Sequence, residues 1–290
     1  MLCTPTMPAR IRHGLAVGRL SGAVVAVAIA TGALSGCAIN ISEMRSPRVL
    51  RGGEINISQA NHVVVPTSSV AELYKQGEVV VEAVDEGRDL TDGERHDLTK
   101  SAISIALSSP GYGTHLDFAI GLGYRFDFQV RAGNGIYGTA LRRGFDLGET
   151  THAAIGWRGA YNGGSSLVPY LDNINGALAV SDMNRYDNQV FGHIGIEFGQ
   201  WGKLWTGAKW MASWFDATIG GDALPQPESI GGRVDYIGGF VGGAVGFRWF
   251  HLIGELNVTQ VKSEGIRAIG ENINLKGWIV AVTWGFQITM

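Results

Sequence analysis

Apolar and polar residues alternate along much of this chain. Even-numbered positions between Thr114 and Val130 are apolar, whereas odd-numbered positions are polar or small. The same alternation runs from Trp278 to Met290, with Ile279 as the exception. Successive side chains of a strand point to opposite faces, so both segments predict long two-faced β-strands. A helix would scatter these apolar residues around its circumference.

The composition of the two faces indicates the surroundings of these strands. One face is large and aromatic, and the opposite face of 114–130 carries Asp117, Arg125, Asp127 and Gln129. Burying such groups in a dry core without partners costs several kcal/mol each. A membrane barrel reverses the arrangement and directs its apolar face to lipid. The pattern therefore predicts an all-β fold, an antiparallel transmembrane β-barrel.

A soluble, lipid-tethered β protein is the alternative fold. It requires a plug or sheet that covers the aromatic faces of residues 114–130 and 278–290.

Extending the alternation along the chain predicts about ten strands. They lie near 78–86, 100–109, 114–131, 134–147, 150–161, 188–200, 203–218, 233–248, 250–262 and 274–290. The first two are the weakest, so eight strands is the second choice. Pro110, Pro169, Pro225 and Pro227 all fall in the intervening turns or loops, where a missing N–H breaks no ladder.

The predicted connections alternate in length, which orients the barrel. Short ones lie at Pro110–Gly113, Leu147–Glu149, Gln200–Gly202 and around Trp249. Long ones lie at 87–99, 162–187, 219–232 and 263–273. Gly133-Asn134-Gly135 is short but is predicted at the same end of the barrel as these long connections. Short turns of outer-membrane barrels face the periplasm. This rule predicts that both termini are periplasmic.

The N-terminus has the features of an export signal. Residues 1–36 contain no acidic residue, carry three arginines and include the apolar run Ser21–Leu34, which is short for a membrane span. The run ends in Leu34-Ser35-Gly36-Cys37, which resembles the bacterial lipobox. The resemblance implies cleavage before Cys37, lipid attachment to its thiol and, with Ala38 next, an outer-membrane location. An ordinary signal peptide or a membrane anchor is the alternative.

These features divide the chain into three predicted parts. Residues 1–36 form the signal peptide, 37–77 a lipidated tether and 78–290 the barrel of a Gram-negative outer membrane. Residues 38–77 are mostly polar, and their alternative role is a plug that enters the barrel.

Composition narrows the function classes. Of 290 residues, 43 are glycine, about twice the usual share, and 17% are charged. The formal net charge of -3 gives no basic surface that would call for nucleic acid, and two cysteines exclude a disulfide scaffold. Many glycines fall at inward positions, where they leave room inside a narrow lumen.

Inward projection of the alternation yields a set of lumen candidates. They are Asp117, Arg125, Asp127, Arg142, Arg158, His193, Glu197, Lys209, Arg248, Glu255 and Asn257. A barrel of eight to ten strands is filled by side chains or holds one small ligand. We therefore expect mainly an ion-pair network, with passage of a small polar solute as the alternative.

Enzymatic chemistry has weaker support. His193 and Glu197 share a face of one strand, but about 13 Å separates their Cα atoms, so they form no direct dyad. No His-x-Ser motif of the lipid-modifying barrel enzymes is present. The seven histidines show no metal-ligand spacing, and no cofactor or metal is expected.

The last residues resemble the C-terminal assembly signal of outer-membrane barrels, with Trp284, Phe286, Ile288 and Met290 in alternation. The usual last residue is aromatic. This resemblance implies the barrel-assembly machinery and outer-membrane lipid as partners. In organisation the chain resembles small barrels of the OmpW/opacity-protein type, but no family motif transfers a functional residue.

We therefore expect a non-enzymatic barrel with a structural or surface-interaction role. A narrow channel and an outer-membrane lipid-modifying hydrolase are the alternatives.

Overall fold

A computed structural model describes residues 41–290 except 89, 109, 134, 165–178, 221–226 and 269–270. The predicted signal peptide and lipid attachment at Cys37 lie outside these residues. The strands close into one antiparallel barrel of ten, in which β1 pairs with both β10 and β2. The predicted barrel and its strand number are confirmed.

Ten strands and two helices make up the fold. The strands are β1 (Ile55–Pro66), β2 (Gly111–Gly123), β3 (Phe126–Gly133), β4 (Ile136–Asp146), β5 (Thr151–Gly164), β6 (Ala179–Phe198), β7 (Gly202–Gly220), β8 (Glu228–Phe247), β9 (Phe250–Ala268) and β10 (Glu271–Thr289). Helices α1 (Thr67–Glu86) and α2 (Asp92–Ser108) connect β1 to β2.

Two predicted strands are wrong. Residues 78–86 lie in α1 and residues 100–108 lie in α2, because β1 and β2 pair directly and leave the intervening chain no strand edge to join. The predicted turn at Pro110–Gly113 therefore leads from α2 into β2.

Two strands were missed, so the count of ten is correct although the assignment is not. Residues 55–66 were assigned to the tether, but they form β1, and the barrel begins at Ile55 rather than at residue 78. Polar Gln59 and Asn61 on its outer face and apolar Val64 on its inner face obscure the alternation there.

The predicted strand 114–131 is a hairpin. Tyr124 and Arg125, both with positive φ (50° and 64°), form a two-residue turn between β2 and β3. Positive φ at both central positions matches the right-handed twist of hairpin strands. A turn of two residues alone would invert the odd–even pattern, but the register shift between Gly121 and Gly123 adds one residue and restores it, so alternation alone cannot reveal the hairpin.

Turns 124–125, 147–150, 199–201 and 248–249 lie at the end where β1 begins and β10 ends. We call this the short-turn end. The helices lie at the opposite end, where β3, β5, β7 and β9 end. Strands β6–β10 have 19 or 20 residues, against 8 to 14 for β1–β5, so one side of the wall is taller there.

An apolar belt covers the outer wall. On β9, Phe250, Leu252, Leu256 and Val258 point outward and are 37–57% exposed, and Gln260 ends the row. Ten rises of about 3.3 Å at a tilt of about 40° give a belt about 25 Å tall, the height of a lipid-facing band. Nothing described covers the aromatic faces of β2, β3 and β10, which argues against the soluble alternative.

The two helices form a hairpin fastened to the barrel. The Ser68 hydroxyl accepts a hydrogen bond from the Trp278 backbone N–H (2.7 Å), and the hydroxyls of Ser69 and Ser104 join the helices. No described helix is long and apolar enough to cross a bilayer.

Thr91 and Glu94 form a capping box at the start of α2, in which each side chain binds the other residue's backbone N–H. The hydrogen bonds that Glu94 accepts, first from Arg88 and then from Thr91, lower its pKa to about 2.

The belt makes a direct prediction about charge. Leu256→Arg should lower the free energy of unfolding in a bilayer by about 2–4 kcal/mol, because the guanidinium would face hydrocarbon near the midplane. Gln260→Arg, on the same face at the edge of the belt farther from the short-turn end, should cost about 0–1 kcal/mol. Denaturant titration of vesicle-reconstituted protein measures both. Equal costs would show that this face does not contact lipid.

Candidate functional site

An extended N-terminal segment lies inside the half of the barrel nearest the short-turn end. We call this the lower half, and the half nearest the helices the upper half. Residues 41–50, the N-terminal plug, run through the lumen toward the short-turn end, where the chain turns into β1. Met44 is fully buried, and Glu43 and Arg45 are 2% and 3% exposed. The alternative role predicted for residues 38–77, a plug, thus applies to their first described part.

Asp127 is the main anchor of the plug. Its carboxylate accepts a bidentate pair of hydrogen bonds from wall residue Arg142 (2.9 and 2.6 Å) and another pair from Arg45 (3.3 and 3.1 Å). The backbone N–H of Leu50 donates a further bond to it (3.2 Å). One buried carboxylate therefore joins two strands of the wall to the middle and to the last residue of the plug.

A second carboxylate holds the plug from the opposite wall. Glu255 accepts hydrogen bonds from the backbone N–H groups of Glu43 and Met44, both at 2.8 Å. The Glu43 side chain in turn accepts bonds from Arg158 (3.1 and 3.0 Å) and from the Gln189 amide. The Lys209 ammonium donates to the Ile41 carbonyl and to Asn257. These contacts give the plug one register in the lumen.

The charges in this part of the lumen nearly balance. Five buried cations (Arg45, Arg131, Arg142, Arg158 and Lys209) face four buried acids (Glu43, Asp117, Asp127 and Glu255). Arg131 pairs with Asp117 at 2.6 Å and also donates to the Ser42 carbonyl. The plug supplies backbone carbonyls and one residue of each sign, which complete the pairing of the wall.

Small wall residues create the space that the plug occupies. A Cβ on Gly121 would overlap the backbone of Arg51, and one on Gly144 would lie 2.6 Å from the Val49 side chain. Larger residues at these positions would displace the chain where it leaves the lumen. The high glycine content thus has a packing role here.

Helix α2 fills the upper half of the lumen. Its residues Ala102, Ile103, Ala106 and Leu107 are buried and pack in one apolar cluster with inward residues of β6–β10. The Tyr236 hydroxyl donates to the Leu107 carbonyl (2.8 Å). Ile41, at the top of the N-terminal plug, belongs to the same cluster. The two fillings therefore meet inside the barrel.

Two cavities flank the plug at the short-turn end. The larger, about 630 Å³, is lined by Arg48, Glu197, Lys203, Arg248 and His251 among others. Glu197 bridges Lys203 (3.2 Å) and Arg48 (3.3 Å) there. The second, about 560 Å³, lies on the other side of Val49 and Leu50.

The structure distributes the predicted lumen residues over two regions. Nine lie on the inner wall, which are Asp117, Asp127, Arg142, Arg158, His193, Glu197, Lys209, Glu255 and Asn257. Arg125 and Arg248 lie off the inner wall, at the rims of the two cavities beside the plug. Both lie in exposed two-residue turns, where Arg125 pairs with Asp146 (3.0 Å) and Arg248 stacks over Phe247.

Several residues of the site were not among the predicted ones. His115 and Arg131 have the inward parity of Asp117, so the alternation would have identified them. Glu43 and Arg45 lie in a segment without alternation, and no local signal places them in the lumen.

The residues considered for catalysis are held apart. The His193 ring packs edge-on against Phe191 and Phe240, with centroids at 5.8 and 5.9 Å. Glu197 belongs to the ion pairs at the short-turn end. Among the described residues, no three His, Cys, Asp or Glu side chains are grouped to hold a metal ion.

Comparison with known proteins shows likeness of fold only. No family model and no curated protein matches the chain. Among solved structures, OmpT, an outer-membrane protease from Escherichia coli, is 8% identical over 84% of this chain and 100% of its own, with a TM-score of 0.37. Neisserial surface protein A is 7% identical over 81% of this chain and 95% of its own, with a TM-score of 0.34. Ail, the attachment invasion locus protein of Yersinia pestis, is 11% identical over 82% of this chain and 99% of its own, with a TM-score of 0.28. Their differing roles do not transfer at this similarity.

The Asp127 network predicts a large cost for a small change. Asp127→Asn should lower the free energy of unfolding by about 3–5 kcal/mol, because it leaves Arg142 and Arg45 buried without their anion. Asp146→Asn removes the partner of exposed Arg125 and should cost at most about 1 kcal/mol. Denaturant titration of the two variants gives the comparison. A loss at Asp127 no larger than at Asp146 would contradict the role of this network.

Proposed function

We propose that this protein is an outer-membrane β-barrel whose lumen is closed by its own chain, with a structural or surface-interaction role. The carrying observation is the double filling of the lumen, by the ion-paired plug below and by α2 above. Both fillings use complementary chemistry, ionic against the polar wall and apolar against the apolar wall. A barrel built in this way presents its outer surfaces rather than a pore.

The apolar belt supports the membrane location. Its height matches a hydrocarbon layer, and aromatic residues border it at both rims, as interfacial girdles do. At the short-turn rim they include Phe126, Phe145, Phe198, Phe247 and Phe286, and at the opposite rim Tyr137, Tyr161, Tyr186, Trp214 and Trp278. By the rule that short turns face the periplasm, the helical hairpin and the tall wall of β6–β10 face outside. These parts form the proposed interaction surface.

Burial of His193 and the ion pairing of Glu197 do not support the hydrolase alternative, because neither group is presented to lipid. The channel alternative requires that both the plug and α2 leave the lumen. The alternating residues at the end of β10 support delivery by the barrel-assembly machinery.

The lipid anchor at Cys37 stays a prediction, and the plug constrains it. Four residues span at most about 14 Å, so Cys37 lies within that distance of Ile41. Because Ile41 is buried inside the barrel, residues 38–41 would have to reach from the lumen to the membrane if Cys37 is acylated while the plug is fully inserted.

Planar-bilayer recording tests the closed state. The wild-type barrel should show no steady conductance. A variant without residues 41–50 and with 67–110 replaced by a short turn should conduct, because both fillings are removed. Heat-modifiable gel mobility controls for correct folding of each protein. Steady conductance of the folded wild type would contradict the proposal and favour the channel.

A further inference from the structure

The outer wall carries a local group of cations above the apolar belt. Strand register places Trp210, Ile237, Gln260 and Trp278 side by side in one row across β7–β10. The next outward row toward the long connections reads Ala212, Asp235, Lys262 and Lys276. Hydrocarbon-facing residues are thus followed directly by charged ones.

Lys262 and Lys276 are direct cross-strand partners. Like charges in this position repel each other and destabilise a sheet. Lys262 has two acidic neighbours, Glu264 at 2.6 Å and its cross-strand partner Asp235, which also pairs with Arg233, whereas no ion pair of the described residues includes Lys276. An anion that bridges the two ammonium groups would relieve this repulsion.

Arg233 extends the cluster on β8. Its guanidinium lies over the rings of Trp210 and Trp214, 5.8 and 5.5 Å from their centroids, and pairs with Asp235 at 2.8 Å. Half of its side chain is still exposed. The tryptophans therefore hold this cation at the rim of the belt instead of letting it extend into water.

The cluster carries a net positive charge. Arg233, Lys262, Arg267 and Lys276 all point outward and are exposed, against three outward acids, Asp235, Glu264 and, on the neighbouring β7, Asp216. The same rim on β5 and β6 presents uncharged Tyr161, Tyr186 and Asn188. The cations are thus confined to β8–β10 rather than spread evenly around the barrel.

We propose that Arg233, Lys262 and Lys276 bind the phosphate groups of an outer-leaflet glycolipid of the lipid A type. This inference rests on the proposed outer-membrane location and orientation. The acyl chains would lie on Val241, Val258 and Val280 of the belt, and the phosphates would meet Lys262 and Lys276 one row above Trp278, and Arg233 beside Trp214. A diphosphorylated headgroup can place one phosphate between Lys262 and Lys276 and the other at Arg233 on β8, which a single phosphate cannot do.

Native mass spectrometry of the detergent-solubilised full chain tests this site with diphosphorylated lipid A. The triple variant Arg233→Gln, Lys262→Gln, Lys276→Gln should bind it roughly 100-fold more weakly, since each cation near an anionic lipid surface contributes several-fold. The matched control Arg125→Gln, Arg143→Gln, Arg248→Gln removes the same charge at the short-turn end and should bind like wild type. Dephosphorylated lipid A should bind wild type at least 10-fold more weakly.

Three results would overturn the assignment. They are equal binding by the folded triple variant and wild type, equal binding of phosphatidylglycerol and lipid A, or displacement of lipid A by millimolar inorganic phosphate. Failure of the proposed function itself has a different signature. Loss of heat-modifiable mobility, or absence of maleimide labelling at Asp92→Cys on intact cells, would reject the membrane location or orientation independently of lipid binding.

Discussion

Charged side chains that point into a narrow, lipid-surrounded barrel need partners, and this requirement governs the structure. Asp117, Asp127, Arg142 and Arg158 are forced inward because their strand neighbours must face lipid. An unpaired buried charge costs several kcal/mol. The wall satisfies part of this demand itself through the Arg131–Asp117 and Arg142–Asp127 pairs, and the chain brings the rest from its N-terminal segment.

The plug, the glycines and the helical hairpin follow from that requirement. Backbone groups of residues 41–50 bond to Glu255, Asp127, Arg131 and Lys209, and small residues of the wall admit them. Above this level most inward residues are apolar, apart from the buried Arg185–Asp187 pair on β6, and α2 packs against them in place of water. The lumen thus changes from mainly ionic to mainly apolar along its length, and each part is filled by a segment of matching chemistry.

The sequence predicted the strands of the barrel wall better than the segments that fill the lumen. Alternation in β7–β10 located both faces, because every outward residue there must meet lipid and leaves a strong signal. It failed at Tyr124-Arg125, where a β-bulge beside the two-residue turn keeps the parity unchanged, and at Gln59 and Asn61, which pair with each other on the outer face of β1. The apolar residues in the second half of α2 mimicked a strand because that part of the helix is buried on nearly all sides. Glu43 and Arg45 enter the lumen through long-range ion pairs that no local pattern encodes.

The central claim is that residues 41–50 are a fixed part of the barrel interior. Hydrogen–deuterium exchange of the protein in nanodiscs measures this directly, because the Glu43, Met44 and Leu50 amides are buried and bonded to wall carboxylates. We expect these amides to exchange as slowly as those of the neighbouring strands. Complete exchange of residues 41–50 within seconds, while β2 and β9 remain protected, would show that the segment is a free tether and contradict this account.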